Sequence, residues 1–164
     1  MRQILLFALV ALAIGALVPR FYAAAPTAAP QALATPAAPP DNSRSVTIAR
    51  SRDGHFHTEA VVDGRRISFL IDTGASLIAL RERDAARLGI HPAWRDYSAR
   101  VSTANGTVRA ARVELNRVEV GGMVVRDVKA LVLPDEALGQ NLLGMSFLSR
   151  LRWQQRDGKL VLEQ

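Results

Sequence analysis

The sequence predicts a small all-β domain carrying one or two short helices, and three observations carry that prediction. From Val46 onward short runs alternate apolar and polar residues, the two-residue period of a half-buried strand. Turn dipeptides punctuate these runs at close intervals: Asp63-Gly64, Asn105-Gly106, Gly121-Gly122 and Asp157-Gly158. Only Leu77–Leu88 and Met145–Leu151 have spacing that suits a helix, the first with Gly89 as its stop.

Taken in order, Ser45–Ala49 and Phe56–Val62 alternate as strands, and Val62-Asp63-Gly64-Arg65 turns the second into Ile67–Ile71. Leu80, Ala85 and Leu88 then share a helical face. Val101–Val108 reads as a hairpin centred on Asn105-Gly106, and Val113–Val120 and Val124–Leu133 as strands on either side of Gly121-Gly122. Asn141-Leu142-Leu143-Gly144 is a further apolar segment before the late helix, and Leu151–Gln154 with Lys159–Leu162 closes the chain as a hairpin. A weak internal echo runs through this order. A Gly turn after Val62 and another after Val120 each open a hairpin whose second strand leads to a Gly-containing turn and a helix, so the domain reads as two pseudo-symmetric halves.

Phe69-Leu70-Ile71-Asp72-Thr73-Gly74-Ala75-Ser76 carries the chemistry. An apolar run of this kind is a buried strand, and a carboxylate at its end is pulled partly out of water, which suits it to acid–base work. Gly74 permits a sharp turn and close approach of another backbone, while Thr73 and Ser76 bring hydroxyls able to fix the carboxylate or nearby amides. A plain surface turn uses the same residue types. Average residue usage would nevertheless yield the Asp-Thr-Gly-small-hydroxyl pattern in only roughly one chain per thousand of this length, so it needs a functional explanation.

The rest of the chain narrows the field. At 164 residues it holds one domain, read as 46–164, with appendages before it. Residues 1–22 contain an apolar run from Ile4 to Val18 ended by Pro19-Arg20, suited to a signal peptide or a membrane anchor. Arg20 and the interfacial pair Phe21-Tyr22 favour an uncleaved anchor, and either reading exports the domain. Residues 23–45, rich in Pro and Ala, read as an extended linker. Without cysteine there is neither a disulfide framework nor a thiol nucleophile. The net charge of +6 is spread along the chain, and no basic run alternates with aromatics, so nucleic acid is not an expected partner.

With these residues in view, the domain resembles the retropepsin-like aspartic proteases, and in particular their small, single-domain, membrane-anchored bacterial members. The resemblance spans most of Phe56–Leu162. It rests on Phe69–Ser76 as the active-site turn, Thr103–Gly106 as a flap tip and Leu142-Leu143-Gly144 before the late helix. It implies a small closed β-barrel or sandwich acting as a homodimer on extended polypeptides, with no metal or organic cofactor. Asp72, Thr73 and Gly74 would be the catalytic residues, and Ala75, Ala104, Asn105 and Gly106 would bind substrate. It also implies an inner-membrane protein with its protease domain in the periplasm, or a secreted periplasmic one after signal cleavage. Chemistry gives a separate reason for the dimer. Activating water against a peptide bond takes two carboxylates sharing one proton, and the chain has a single Asp-Thr-Gly. The second half offers Leu142-Leu143-Gly144 where a second Asp turn would be expected, so a two-fold copy has to supply it. Met145-Ser146-Phe147 departs from the retroviral enzymes, which carry a charged residue in the late helix.

Other candidates are weaker. His55 and His57 sit two apart on one strand face but lack a third ligand at a telling spacing, and Ser146 lacks the Gly-x-Ser-x-Gly elbow of a serine hydrolase. Asp53, Asp63 and Asp157 each precede Gly as turn residues, and Asp127 and Asp135 suit ion pairs. Trp94, Trp153 and Phe147 are read as core or interface packing. A non-catalytic peptide-binding or dimerisation module of the same fold is the alternative to an enzyme.

Overall fold

The computed structural model describes residues 44–103 and 106–164. The anchor and linker expected before residue 44, and the flap-tip residues Ala104 and Asn105, lie outside the described residues.

Among the described residues ten strands and two short α-helices follow one another: β1 (Ser45–Ala49), β2 (His57–Val62), β3 (Arg65–Ile71), β4 (Ile78–Arg81), α1 (Glu82–Arg87), β5 (Ala99–Thr103), β6 (Gly106–Val120), β7 (Met123–Leu133), β8 (Leu142–Leu143), α2 (Met145–Leu148), β9 (Arg152–Arg156) and β10 (Lys159–Glu163). Three hairpins turn on two residues with positive φ: Asp63 and Gly64 at 46° and 85°, Gly121 and Gly122 at 56° and 83°, Asp157 and Gly158 at 50° and 68°. That pair of left-handed residues is the I′ geometry whose twist matches the flanking strands, which is why these dipeptides mark hairpins in the sequence.

The pairing β2-β3-β8-β4-β7-β6 returns to β2 through Val61↔Glu119 and Val62↔Val118, so six strands close a barrel. Exchanging β2 with β6, β3 with β7 and β4 with β8 leaves this pairing list unchanged. The hairpins β2–β3 and β6–β7 swap, parallel β3–β8 becomes parallel β7–β4, and β2–β6 and β4–β8 map onto themselves. The two halves read from the sequence are therefore present. Their correspondence differs in one respect from the expectation. Leu142-Leu143 matches β4, not β3, so the second half's counterpart of the Asp72 turn is the stretch after β7, residues 134–141.

The expected helix over Leu77–Leu88 is half strand. Ile78, Ala79 and Leu80 are buried and run between β7 and β8 as β4, and the helix starts only at Glu82. A short apolar run covered on both faces has no periodicity to separate strand from helix, which is why spacing misjudged it. β6 also starts earlier than Val113, at Gly106, and the late helix ends at Leu148.

The main core draws on every strand of the barrel and on α2, whose Phe147 is fully buried. Truncating such a phenylalanine costs about 3–5 kcal/mol. A smaller apolar cluster of Ala79, Ala110 and Leu133 lies apart from it, with Val101, Val108, Leu131, Leu138 and Leu142 against it. The separate sheet β1-β10-β9 adds Ile48, Leu160 and Leu162 to the main core. Trp94 does not join either cluster: it is 86% exposed, and Trp153 is 41% exposed.

Candidate active site

Asp72 stands one residue past β3 and is half-buried. Its amide donates to the Leu143 carbonyl at 3.2 Å, which continues the parallel β3–β8 ladder into the turn. Its Oδ1 accepts from the Gly74 amide at 2.8 Å. Oδ2 has no hydrogen-bond partner among the described residues. Of the two roles open to the Thr73 and Ser76 hydroxyls, fixing the carboxylate or nearby amides, the first is taken by a backbone amide. Both hydroxyl residues are exposed, and Thr73 makes no side-chain hydrogen bond to the described residues.

The second half clamps this turn. The Met145 amide donates to the Ala75 carbonyl at 2.8 Å, and the Ile78 amide donates to Ser146 Oγ at 2.9 Å. Ser146 is thus occupied as an acceptor within the scaffold. Gly144 makes the close approach possible: a Cβ there would stand 2.2 Å from the Leu77 carbonyl oxygen and 2.6 Å from that of Ala75. Only glycine leaves room for the turn to lie across it.

The matching stretch after β7 is clamped by the first half, through charge. The Arg81 amide donates to Asn141 Oδ1 at 2.9 Å, and the Arg83 amide to Asp135 Oδ1 at 3.2 Å. Asp84, 3% exposed, accepts from Arg81 Nη2 at 2.6 Å, Asn141 Nδ2 at 2.9 Å and Arg87 Nη1 at 3.1 Å. Burial pushes the Asp84 carboxyl up, but the hydrogen bonds from Asn141 and Arg81 and the arginine charges outweigh it and hold it below 3.8. Sequence reasoning missed this network. Its one legible trace is the Arg81/Asp84/Arg87 spacing of three on a short helix, an ion-pair pattern common on exposed helices.

A groove of ≈ 700 Å³ opens in front of Asp72. Gly74 and Ala75 border it beside the carboxylate, β5 of the β5–β6 hairpin forms one side, and the second apolar cluster, with Ala79, Leu131, Leu133 and Leu142, forms its floor. Of the other predicted substrate-binding residues, Gly106 opens β6 with φ 111° and accepts a hydrogen bond from Thr103 Oγ1 at 2.9 Å. Asp72 is the sole carboxylate among the described lining residues. His57, by contrast, is drawn to Asp53 at 2.7 Å away from this groove, while the His55 amide bond and His57 lower the Asp53 carboxyl.

A closed barrel of two interchangeable halves, with an Asp-Thr-Gly turn bordering a hairpin-flanked groove, defines the retropepsin-like aspartic protease fold. The family model described as "gag-polyprotein putative aspartyl protease" matches residues 58–150, and the chain belongs to that family. The crystal structure of a retropepsin-like aspartic protease from Rickettsia conorii is similar at 39% identity and a TM-score of 0.65, covering 74% of this chain and 91% of that one. Among curated proteins, the uncharacterized protein in the cobV 5′ region of a Sinorhizobium species is 43% identical over 123 residues, 74% of this chain and 53% of the relative. The uncharacterized protein RP867 of Rickettsia prowazekii (strain Madrid E) is 40% identical over 120 residues, 71% of this chain and 50% of the relative. The chain thus spans about half the length of the curated relatives it matches.

Proposed function

We propose that this chain is an aspartic endopeptidase that cuts extended polypeptides as a homodimer, with Asp72 of each copy forming the catalytic pair. One observation carries the reading. A half-buried carboxylate, held on one oxygen by the Gly74 amide and unpartnered on the other, faces a groove with no second carboxylate among its described lining residues. The pair would hold one water and share one proton. The ionised Asp72 takes a proton from the water as it attacks the scissile carbonyl carbon, and the protonated copy donates to the carbonyl oxygen. Collapse of the tetrahedral intermediate breaks the C–N bond, with a proton passing to the leaving amine. Thr73, exposed and without a side-chain hydrogen-bond partner among the described residues, would bond the other copy's turn, and the β5–β6 hairpin, with Ala104, Asn105 and Gly106 at its tip, would close over the peptide.

The apolar run Ile4–Val18 and the Pro/Ala-rich stretch after it support a membrane-tethered, periplasm-facing domain. A tether would raise the local concentration of subunits and favour pairing. Fractionation with protease accessibility from each side of the membrane checks this placement. The deciding experiment for the activity incubates the full chain with a peptide library across pH beside Asp72→Asn. Cleavage lost in that variant supports the reading, and unchanged cleavage overturns it. Peptide bound at all pH values but never cut supports the non-catalytic module.

A further inference from the structure

Four residues on one face of the barrel form a row of direct cross-strand neighbours: Leu142 opposite Ala79, Ala79 opposite Leu131, and Leu131 opposite Arg112. All four line the groove. The first three are the apolar floor expected of a site for apolar side chains. The fourth is a guanidinium. Alternation along β6 fixes its side: Ala110, two residues earlier, belongs to the groove cluster, while Ala111 belongs to the main core.

Arg112 differs from five arginines that are paired within the fold and shares with Arg65, Arg109 and Arg126 of the barrel strands the lack of an acidic partner among the described residues; of these four only Arg112 lines the groove. Arg81 and Arg87 pair with Asp84, Arg83 with Asp135, Arg117 with Glu119 and Arg66 with Glu59. Arg112 has no acidic partner among the described residues. The nearby hairpin adds two more cations, Arg100 directly opposite Arg109, again without acidic partners among the described residues. Like charges facing each other across strands destabilise a hairpin, so the lip of the groove keeps a positive field at a cost in stability. A permanently charged fork with no hydrogen-bond partner among the described residues, at the edge of an apolar groove, matches an oxyanion gripped in two places, which on an unmodified polypeptide is a carboxylate.

We infer that Arg112 is a specificity-determining residue that binds an acidic side chain of the substrate at the outer end of the groove. The inference rests on the peptidase reading above and adds what the site selects. Three strand spacings separate β8 from β6, roughly 14 Å along the sheet, and an extended peptide advances roughly 3.3 Å per residue. That is about four residues, and fewer where the arginine and acidic side chains lean toward each other, so the recognised Asp or Glu sits about two to four residues from the scissile bond. A two-fold dimer places a second Arg112 on the opposite flank, so the preference appears on both sides of the cut.

The test uses the full chain and C-terminally amidated peptides with an apolar centre, scanning Asp or Glu against Asn or Gln at positions two to four on each side. The same peptides with free C-termini form a second arm, separating recognition of a side chain from recognition of a chain-terminal carboxylate. The expected result is a 5- to 10-fold higher kcat/KM for the acidic peptide at one position on each flank, weakening with salt. Arg112→Gln erases this preference, and Arg112→Glu turns it toward Lys. Equal rates for acidic and amide peptides in the wild type, or a preference that survives Arg112→Gln, overturn the inference, as does a preference confined to free C-termini. Binding of the same labelled peptides to Asp72→Asn, read by fluorescence anisotropy, reports the preference without cleavage. A chain that cuts nothing yet loses acidic-peptide binding on Arg112→Gln refutes the peptidase reading and leaves the inference standing.

Discussion

The turn after β3 and the stretch after β7 occupy matching places in the barrel, yet they are built by opposite means. The first is held by backbone amides, one serine hydroxyl and a glycine that keeps out of the way. The second is held by arginines, Asn141 and acidic side chains whose charges are consumed within the fold. Neutral clamps leave the carboxylate of Asp72 unspent. Charged clamps leave Asp84 and Asp135 fully employed. On the proposed peptidase reading, a barrel with twofold internal logic keeps one half for structure and one for chemistry, and a complete pair of reactive carboxylates would come from a second copy of the chemical half.

The largest expected effect comes from spending the unspent carboxylate. Asp72→Asn lowers peptide cleavage by about a thousandfold or more while the melting temperature stays close to wild type, since its remaining oxygen still accepts from Gly74. If the proposed homodimer shares one carboxylate pair, mixing this variant with wild type lowers activity below the simple dilution value, since mixed dimers would be inactive. Next is the glycine that lets the two halves touch. Gly144→Ala drives a methyl into the Leu77 and Ala75 carbonyls and lowers stability by more than about 4 kcal/mol in denaturant melts. Gly139→Ala, with open space around it, stays within about 0.5 kcal/mol.

The charged clamp is graded. Asp84→Ala leaves Arg81 and Asn141 without their acceptor and costs about 3 kcal/mol, whereas Asp135→Ala removes a half-exposed pair at 3.8 Å and costs below about 1 kcal/mol. Because the folded Asp84 carboxyl lies below its ordinary value of 3.8, its contribution is complete above that pH and disappears as acid carries it through its lower folded value. The wild type's advantage over Asp84→Asn in acid melts is therefore flat from neutrality to about pH 4 and narrows only below that. The smallest effect is at Tyr97, whose hydroxyl donates to Glu82 at 3.1 Å and is pushed up to about 12 by burial and then by Glu82. A raised acid favours the fold while it keeps its proton, so the contribution is whole below about pH 10 and fades as pH rises toward 12. Alkaline melts of Tyr97→Phe beside wild type read it directly.

Much of this was legible in the sequence. Asp63-Gly64, Gly121-Gly122 and Asp157-Gly158 gave their hairpins away because two consecutive left-handed residues suit few other dipeptides. The Asp72 octet announced itself because a carboxylate rarely ends a buried strand. What escaped notice depended on contacts between residues far apart in the chain. β4 could not be told from helix because its burial comes from β7 and β8. The exchange of halves assigns Leu142-Leu143 to β4, a fact of parallel pairing that no local pattern encodes. No local pattern marks Asp84 as buried, because its partner Asn141 lies 57 residues away. Of the two expectations for Trp94, core or interface packing, its 86% exposure removes the first.

The pairing of β1 with β10 places Ser45 opposite Glu163, and the Gln164 amide donates to the Arg44 carbonyl at 3.0 Å. The strand path is therefore nearly a closed circuit, and its starting point is interchangeable. A short bridge from Gln164 to Arg44, with new ends opened at exposed Gly139, describes a permuted chain with every ladder intact.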